Sequence, residues 1–315
     1  MSHDLYESIT AKVIEMLEQG VAPWRSPILG QSKAGWPKNL TTGRDYRGVN
    51  VFLLAFTAWA KGYGSAHWLT FRQAKEKGGH VKKGEKASMV VFWKQYATTD
   101  RETGEAINVP VLRHYLVFNA EQCEGIAVPD APVFEPSAFE PVYEAERIVR
   151  TYQDAPVIDH GGSKAYYLPK PDRVHMPEPT RFENPSAYYA TLFHELAHST
   201  AHSSRLDRGI DRDPAPFGSP DYGKEELVAE MAAAFLCGRC GILPSTIESA
   251  AAYLDGWLKA IKSDKRLIVT AAGAAQRAAD WIRGIRPGVT ADAGDPPSDQ
   301  AAEGTPAEPH AATAA

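Results

Sequence analysis

The chain has 315 residues, of which 43% are hydrophobic, and this is enough for a core divided over about two domains. Three cysteines exclude a disulfide framework, and the longest apolar run, Val51 to Ala60, is too short to span a bilayer. Because the opening residues form a charged amphipathic segment and not a secretion signal, we expect a cytoplasmic protein with no membrane partner.

The net charge of −5 is distributed unevenly along the chain. Residues 21–99 contain thirteen Lys or Arg against three Asp or Glu, so this stretch carries +10 and the remainder −15. The same stretch holds five of the seven tryptophans. Cations interleaved with aromatic rings are typical of single-stranded DNA binding, because cations follow the phosphates and rings stack on unpaired bases. The candidate DNA-binding residues are Trp24, Arg25, Trp36, Lys38, Arg44, Tyr46, Arg47, Trp68, Arg72, Lys82 and Lys83.

An alternative for this stretch is that its aromatic and basic residues have a structural role and do not bind DNA. Phe52, Phe56 and Trp59 recur at helical spacing, which is typical of a core-facing stripe. On this interpretation five lysines form only a solvated surface: Lys75, Lys77, Lys82, Lys83 and Lys86.

The first predicted domain, residues 1–126, is α+β. Its patterns predict helices over residues 4–19, 50–61 and 70–77, the last capped by Thr70. β-Branched and aromatic residues predict strands over 88–96 and 109–118, joined by a turn-rich segment at 99–105. Four prolines in residues 127–141 then predict an extended linker.

The second predicted domain covers residues 142–287. It opens with a helix over 143–152 and two short strands near 166–169 and 172–177. Prolines bound the second strand, which predicts an edge strand able to pair with an extended substrate. Two Ala-rich helices follow the central helices, and the tail at 288–315, which has no aromatic residue, is predicted to be disordered.

A metal-binding pattern lies in the middle of this domain. Asn184 and Pro185 predict the start of a helix that carries His-Glu-x-x-His at His194, Glu195 and His198. Histidines four residues apart share one helix face about 6 Å apart along the axis, so both imidazoles can reach one Zn²⁺ ion. Glu195 would then be the catalytic base that accepts a proton from water.

A second acidic helix supplies the candidate third ligand. Glu226 and Glu230 lie one turn apart on a helix predicted over residues 222–236, with Glu226 as metal ligand and Glu230 as the acid behind a ligand histidine. His202 remains an alternative as ligand, transition-state donor or helix cap, and Tyr222 is a second candidate donor. The polar segment 203–221 is predicted to form a rim over the site.

Several motifs occur in matching order along the chain: Gly20-Val-Ala-Pro-Trp24, Tyr46-Arg-Gly-Val-Asn50, Trp68-Leu-Thr-Phe-Arg-Gln73, Val81-Lys-Lys-Gly-Glu85, Val117-Phe-Asn-Ala-Glu-Gln122, Asp172-Arg-Val-His-Met-Pro177, His194 to Arg205, and Glu225-Glu-Leu-Val-Ala-Glu230. In these motifs the chain resembles the ArdC-type antirestriction proteins and the N-terminal part of certain plasmid primases. The acidic helix also resembles the glutamate-zincin pattern, except that Glu230 replaces the usual Asp or Asn.

The resemblance implies a single-stranded-DNA-binding domain followed by a zincin-like metallopeptidase domain, with protection of incoming plasmid DNA from host restriction as the function. Three hypotheses follow. The site hydrolyses a protein substrate at or near DNA; or the protein shields DNA passively and its metal domain is silent; or it is a general peptidase whose basic domain recruits substrate proteins.

Overall fold

The computed structural model describes residues 5–18, 22, 24, 35–99, 104–129, 140–213, 216, 219–242 and 250–286. The candidate DNA-binding residue Arg25, most of the predicted linker and the predicted tail lie outside these residues.

The N-terminal part combines three helices with short and long strands. In chain order these are α1 (Leu5–Glu18), β1 (Lys38–Asn39), α2 (Val49–Lys61), β2 (His67–Leu69), α3 (Phe71–Glu76), β3 (His80–Val81), β4 (Ser88–Thr99), β5 (Ala106–Asn119) and β6 (Cys123–Glu124). Four strands form a sheet in the order β1-β2-β5-β4, and β3 pairs with β6. The predicted α+β class is confirmed.

Local sequence signals explain where these elements begin and end. β4 and β5 form an antiparallel hairpin paired from Ser88 opposite Val117 to Thr99 opposite Ala106. The Thr70 side chain accepts a hydrogen bond from Gln73 N, and the Gln73 side chain accepts one from Thr70 N, so α3 starts with a capping box. α2 ends at Gly62, whose φ of 70° is readily adopted only by glycine.

The C-terminal part contains the remaining elements: α4 (Glu140–Thr151), β7 (Val157–His160), β8 (Tyr166–Leu168), β9 (Arg173–Met176), α5 (Pro185–Ser199), α6 (Pro220–Cys240), α7 (Ala250–Ser263) and α8 (Leu267–Ile282). The three strands lie in the order β7-β9-β8. The prediction of an edge strand over 172–177 is therefore wrong, because β9 pairs with β7 on one side and β8 on the other. Within the described part of the chain, no helix is both long and apolar enough to cross a membrane.

One continuous hydrophobic core joins the two parts. Phe52 of α2 stacks on Phe235 of α6 with ring centroids 4.8 Å apart, and Trp24 contacts Trp257 edge-to-face at 5.5 Å. These rings belong to a single buried cluster that includes residues of α1, α2, β4 and β5 together with residues of α5, α6 and α8. A change in this cluster is therefore felt on both sides of the predicted linker.

Polar contacts cross the same junction. Arg47 forms an ion pair with Asp280, and Arg239 donates to Asp45 at 2.7 Å. The Gly48 amide donates to the Gln276 side chain at 3.1 Å. These contacts fix the loop before α2 against α6 and α8.

We expect the two parts to unfold together. Phe235→Ala would remove a fully buried ring from the shared core and lower the free energy of unfolding by about 3–5 kcal/mol. Chemical denaturation followed by far-ultraviolet circular dichroism and tryptophan fluorescence should give one coincident transition in wild type and variant. Phe71→Ala, at an exposed ring, is the control and should change stability by about 0.5 kcal/mol or less. Two separated transitions would contradict a shared core.

Candidate metal centre

Helix α5 presents His194 and His198 on one face, and helix α6 lies against it. The start of α5 is as predicted: the Asn184 side chain accepts a hydrogen bond from Ala187 N at 2.9 Å, and Pro185 occupies the first helical position. The opposite face of α5 packs into the core through Leu192, Phe193 and Leu196. The histidine-bearing face is thereby held toward α6.

The structure brings His194, His198 and Glu226 together as a set that could hold a metal ion. The two Nε2 atoms are 3.1 Å apart, and the Glu226 carboxylate oxygens lie 3.5 Å from Nε2 of His194 and 3.4 Å from Nε2 of His198. Ligand atoms about 2.1 Å from one tetrahedral ion are about 3.4 Å apart. The side chains are only 12%, 10% and 10% exposed. Spacing, burial and donor type all fit a divalent cation.

A carboxylate lies behind each histidine, on the side of the ring away from Glu226. Glu230 is 3.8 Å from Nδ1 of His194, and Glu225 is 3.6 Å from Nδ1 of His198. In the part of the chain that the structure describes, neither buried Nδ1 has a hydrogen-bond partner. If the two carboxylates moved slightly closer, each would accept a hydrogen bond from the Nδ1 atom that it faces. These hydrogen bonds would fix the rings with Nε2 toward the ion.

Sequence reasoning missed Glu225, which follows neither the i,i+4 spacing nor the His-Glu-x-x-His pattern. Its carboxylate accepts two hydrogen bonds from Arg208, at 2.9 Å from Nε and 2.6 Å from a terminal nitrogen. Arg208 also donates to Thr200 Oγ1 and to the Ala197 carbonyl near the end of α5. Arg208 therefore ties α5, the segment after it and α6 together at His198.

The carboxylates control the charge of the buried imidazoles. Burial by itself lowers the pKa of His198, but the neighbouring Glu225 and Glu226 outweigh it and raise that pKa to about 10. The pKa of His194 is likewise raised, chiefly by Glu226, against the effect of burial. Burial disfavours the Glu226 carboxylate, yet the two imidazoles keep its pKa well below the usual range. The pocket thus favours positive charge at its centre.

Glu195 is buried beside the histidines. It follows His194 directly on α5 and is 8% exposed. Its negative charge contributes to the raised pKa of both His194 and His198. This position is consistent with the predicted base, whose role remains a prediction.

The two candidate donor residues lie in different surroundings. Both ring nitrogens of His202 face other partners, because Nδ1 is 2.8 Å from Ser204 Oγ and Nε2 is 3.7 Å from Asp211. The structure therefore does not bring His202 into the metal-binding set, and its alternative role as ligand is wrong for this conformation. Tyr222 lies one turn before Glu226 on α6 and is half-buried, so a donor role for it remains a prediction.

Arg205, which is buried, anchors the chain just after α5. Arg205 donates to both carboxylate oxygens of Asp172 at 2.9 and 2.6 Å and to the Ser199 carbonyl at 2.9 Å. Asp172, at φ 49°, also accepts from the Tyr167 hydroxyl at 2.8 Å. This network joins the end of α5 to the turn between β8 and β9.

The predicted aromatic DNA contacts are mostly core residues. Trp24, Tyr46 and Trp68 are 1%, 4% and 0% exposed, so none offers a ring face to a base, and stacking by these three is a wrong prediction for this structure. Trp36 is half-buried, and the Arg239 guanidinium covers its ring at 3.7 Å. The number of aromatic residues in a sequence does not show which rings are buried and which could stack on a base.

The predicted cationic contacts divide into two groups. Lys38 lies 3.8 Å from Asp45, and Arg47 pairs with Asp280, so both charges are at least partly neutralised within the protein. The other candidates within the described residues are exposed, although Arg72 pairs with Glu76; they are Arg44, Arg72, Lys82 and Lys83.

We expect the acids behind the histidines to strengthen metal binding. Glu225→Gln and Glu230→Gln should each weaken affinity for a divalent ion about 10–100-fold, because the ligand rings lose their orienting carboxylates. Competition with a chromophoric chelator measures this, and thermal unfolding of the metal-free protein separates it from loss of fold. Glu183→Gln, at an exposed acid near the start of α5, is the matched control. Unchanged affinity in both variants would show that the acids do not orient the rings.

Comparison with known proteins places these observations in a family context. A family model described as the N-terminal domain of anti-restriction factor ArdC matches residues 3–118, and a zincin-like metallopeptidase model matches residues 143–274. The chain is 37% identical over 294 residues to uncharacterized protein y4eC of Sinorhizobium fredii, covering 89% of this chain and 91% of that protein. It is 34% identical over 296 residues to DNA primase TraC of Escherichia coli, but spans only 27% of that protein's length.

Two solved structures of antirestriction protein ArdC from plasmid R388 are similar over most of the chain. The metal-free structure is 39% identical with a TM-score of 0.71, covering 90% of this chain and 98% of that one. The Mn(II)-bound structure is 38% identical, also with a TM-score of 0.71, covering 91% and 100%. The chain therefore belongs to the ArdC family of antirestriction proteins, with an ArdC-type N-terminal domain and a zincin-like domain.

Proposed function

We propose that the protein binds single-stranded DNA and hydrolyses a protein substrate at or near that DNA, and thereby protects incoming plasmid DNA from host restriction. The observation that carries the catalytic half is the spacing of 3.1–3.5 Å among the ligand atoms of His194, His198 and Glu226, with Glu195 buried beside them. Membership of an antirestriction family supports the biological role.

Zn²⁺ is our proposal for the ion. Two neutral imidazoles and one carboxylate form the ligand set of many catalytic zinc sites, which keep one further position for water. The relative from plasmid R388 has been solved with Mn(II), so a divalent ion binds to that protein. Metal analysis of protein purified without added metal would identify the ion held by this chain.

The chain's own residues can carry out peptide hydrolysis in the following way. The ion, when bound, supplies a Lewis acid that polarises a peptide carbonyl and acidifies water. Glu195 accepts the proton from the attacking water and returns it to the leaving amine. Glu225 and Glu230 hold the two ligand rings, and Tyr222 is the candidate donor to the developing oxyanion.

The DNA-binding part of the proposal rests on the positive charge of the N-terminal residues. Residues 21–99 carry a local +10 within a protein of net charge −5, and this excess favours a polyanionic partner. Binding of single strands near the zincin-like domain would bring that domain to proteins that act on incoming DNA.

We expect Glu195→Gln to separate catalysis from passive shielding. The variant should keep its metal and its affinity for single-stranded DNA, but lose about 10²–10⁴-fold in peptidase rate, because it lacks the general base. Protection is measured by transferring unmethylated plasmid into a restricting host that produces wild type or variant protein. Glu183→Gln again serves as the control. If Glu195→Gln protects as well as wild type while binding DNA normally, the catalytic proposal fails and passive shielding is favoured.

A further inference from the structure

Exposed lysines recur along α3 and the turn after β3. Helix α3 packs against β3, and a six-residue turn, residues 82–87, leads from β3 into β4. Residues 71–86 contain six Lys or Arg and two Glu, which leaves four net positive charges in sixteen residues. We call the following exposed residues the lysine patch: Phe71, Lys75, Lys77, Lys82, Lys83 and Lys86.

Nearby carboxylates only partly offset the charge of this patch, because Glu85 and Glu121 accept from neutral amides and keep their own charge. Glu76 pairs with Arg72, and Glu85 accepts a hydrogen bond from the Gln122 amide at 2.8 Å. Glu121 accepts from the backbone amide of Ser65 at 2.8 Å. In the regions covered by the structure, no ion pair involves the patch lysines. Their charge therefore faces solvent, in contrast to that of Lys38 and Arg47.

Hydrogen bonds hold the lysine-bearing turn in one shape. Gln122, which is buried, donates to the Lys86 carbonyl at 2.9 Å, and its own carbonyl accepts from Lys82 N at 2.9 Å. The Lys82 ammonium donates to the Glu121 carbonyl at 2.9 Å. Gly84, at φ 89°, allows the chain to reverse between Lys82 and Glu85. The cations are presented by a braced turn, which reduces the ordering cost of binding.

Phe71 adds an exposed aromatic ring to the patch, one helix turn before Lys75 on α3. It is the first residue of α3, which the Thr70 capping box fixes, and it is 55% exposed. Two other exposed rings of the N-terminal part contact neighbouring rings: Trp59, at 48%, packs near Phe56, and Trp93, at 44%, packs near Tyr6. There Arg113 is already engaged, because it donates to the Tyr96 hydroxyl at 3.1 Å.

We propose that the lysine patch is the face that binds single-stranded DNA, with phosphates along the lysines and an unpaired base stacked on Phe71. This proposal rests on the single-strand binding proposed above. Flexible single strands can bring a phosphate row and a base face to the same surface, whereas a duplex keeps its base faces stacked inside. The exposed phenyl ring therefore distinguishes a single-strand site from a simple polyanion site.

The test measures binding of a fluorescent oligothymidylate by anisotropy at several salt concentrations. Lys75→Gln, Lys83→Gln and Lys86→Gln combined should reduce the slope of log affinity against log salt by about 2, since each phosphate contact contributes about 0.7. Lys94→Gln, Lys164→Gln and Lys170→Gln combined remove the same charge at exposed positions elsewhere and should leave the slope nearly unchanged. Circular dichroism and thermal unfolding confirm that both triple variants are folded.

The aromatic contact is tested separately. Phe71→Ala should weaken single-strand binding about tenfold or more, Phe71→Trp should restore it, and Trp93→Ala should have little effect. If wild type binds no single strand, the proposed DNA-binding function itself fails. If wild type binds but the patch variants match their controls, only the assignment of this face is overturned. Equal loss for single strands and duplex, with no effect of Phe71→Ala, would indicate a general polyanion surface and also overturn it.

Discussion

The crossing of α5 and α6 is the contact on which the candidate site depends. It buries the carboxylates of Glu195, Glu226 and Glu230 and half-buries that of Glu225, all close to two imidazoles. Like charges in a buried site repel unless cations balance them. Arg208 balances one carboxylate directly, and the histidines respond by a raised pKa. A divalent ion would supply the remaining positive charge, so metal binding and the electrostatic stability of this helix pair are linked.

Helix α6 also connects this site to the N-terminal part of the protein. Glu226 and Glu230 occupy its first half, while Phe235 and Arg239 near its end contact Phe52 and Asp45. Because one rigid helix carries both sets of contacts, the metal centre has a fixed position relative to the sheet of the N-terminal part. The two family models meet between residues 118 and 143, yet the core does not divide there. The boundary between two family domains therefore need not be a boundary between two units that fold independently.

Features that depend on near neighbours in the chain could be predicted from sequence. The cap at Asn184, the capping box at Thr70 and the shared face of His194 and His198 all follow from spacings of three or four residues. The central position of β9 could not be predicted, since it depends on β7, a short strand without a clear pattern. Glu225 was missed for a similar reason: its role is created by Arg208, which is distant in sequence and reaches it only in the folded chain.

The same distinction applies to charge. The sequence shows how many cations a region contains, but not which of them are neutralised after folding. Arg47 and Arg239 are used at the junction between the two parts, and Arg72 is used within α3, so each contributes less to an outward-facing potential than its formal charge suggests. A basic region of the sequence therefore indicates that a polyanion could bind. The binding surface is found only when the cations that form ion pairs within the protein are subtracted from the total. Among the N-terminal residues that the structure describes, that subtraction leaves the lysines of α3 and of the turn after β3 exposed and outside any ion pair.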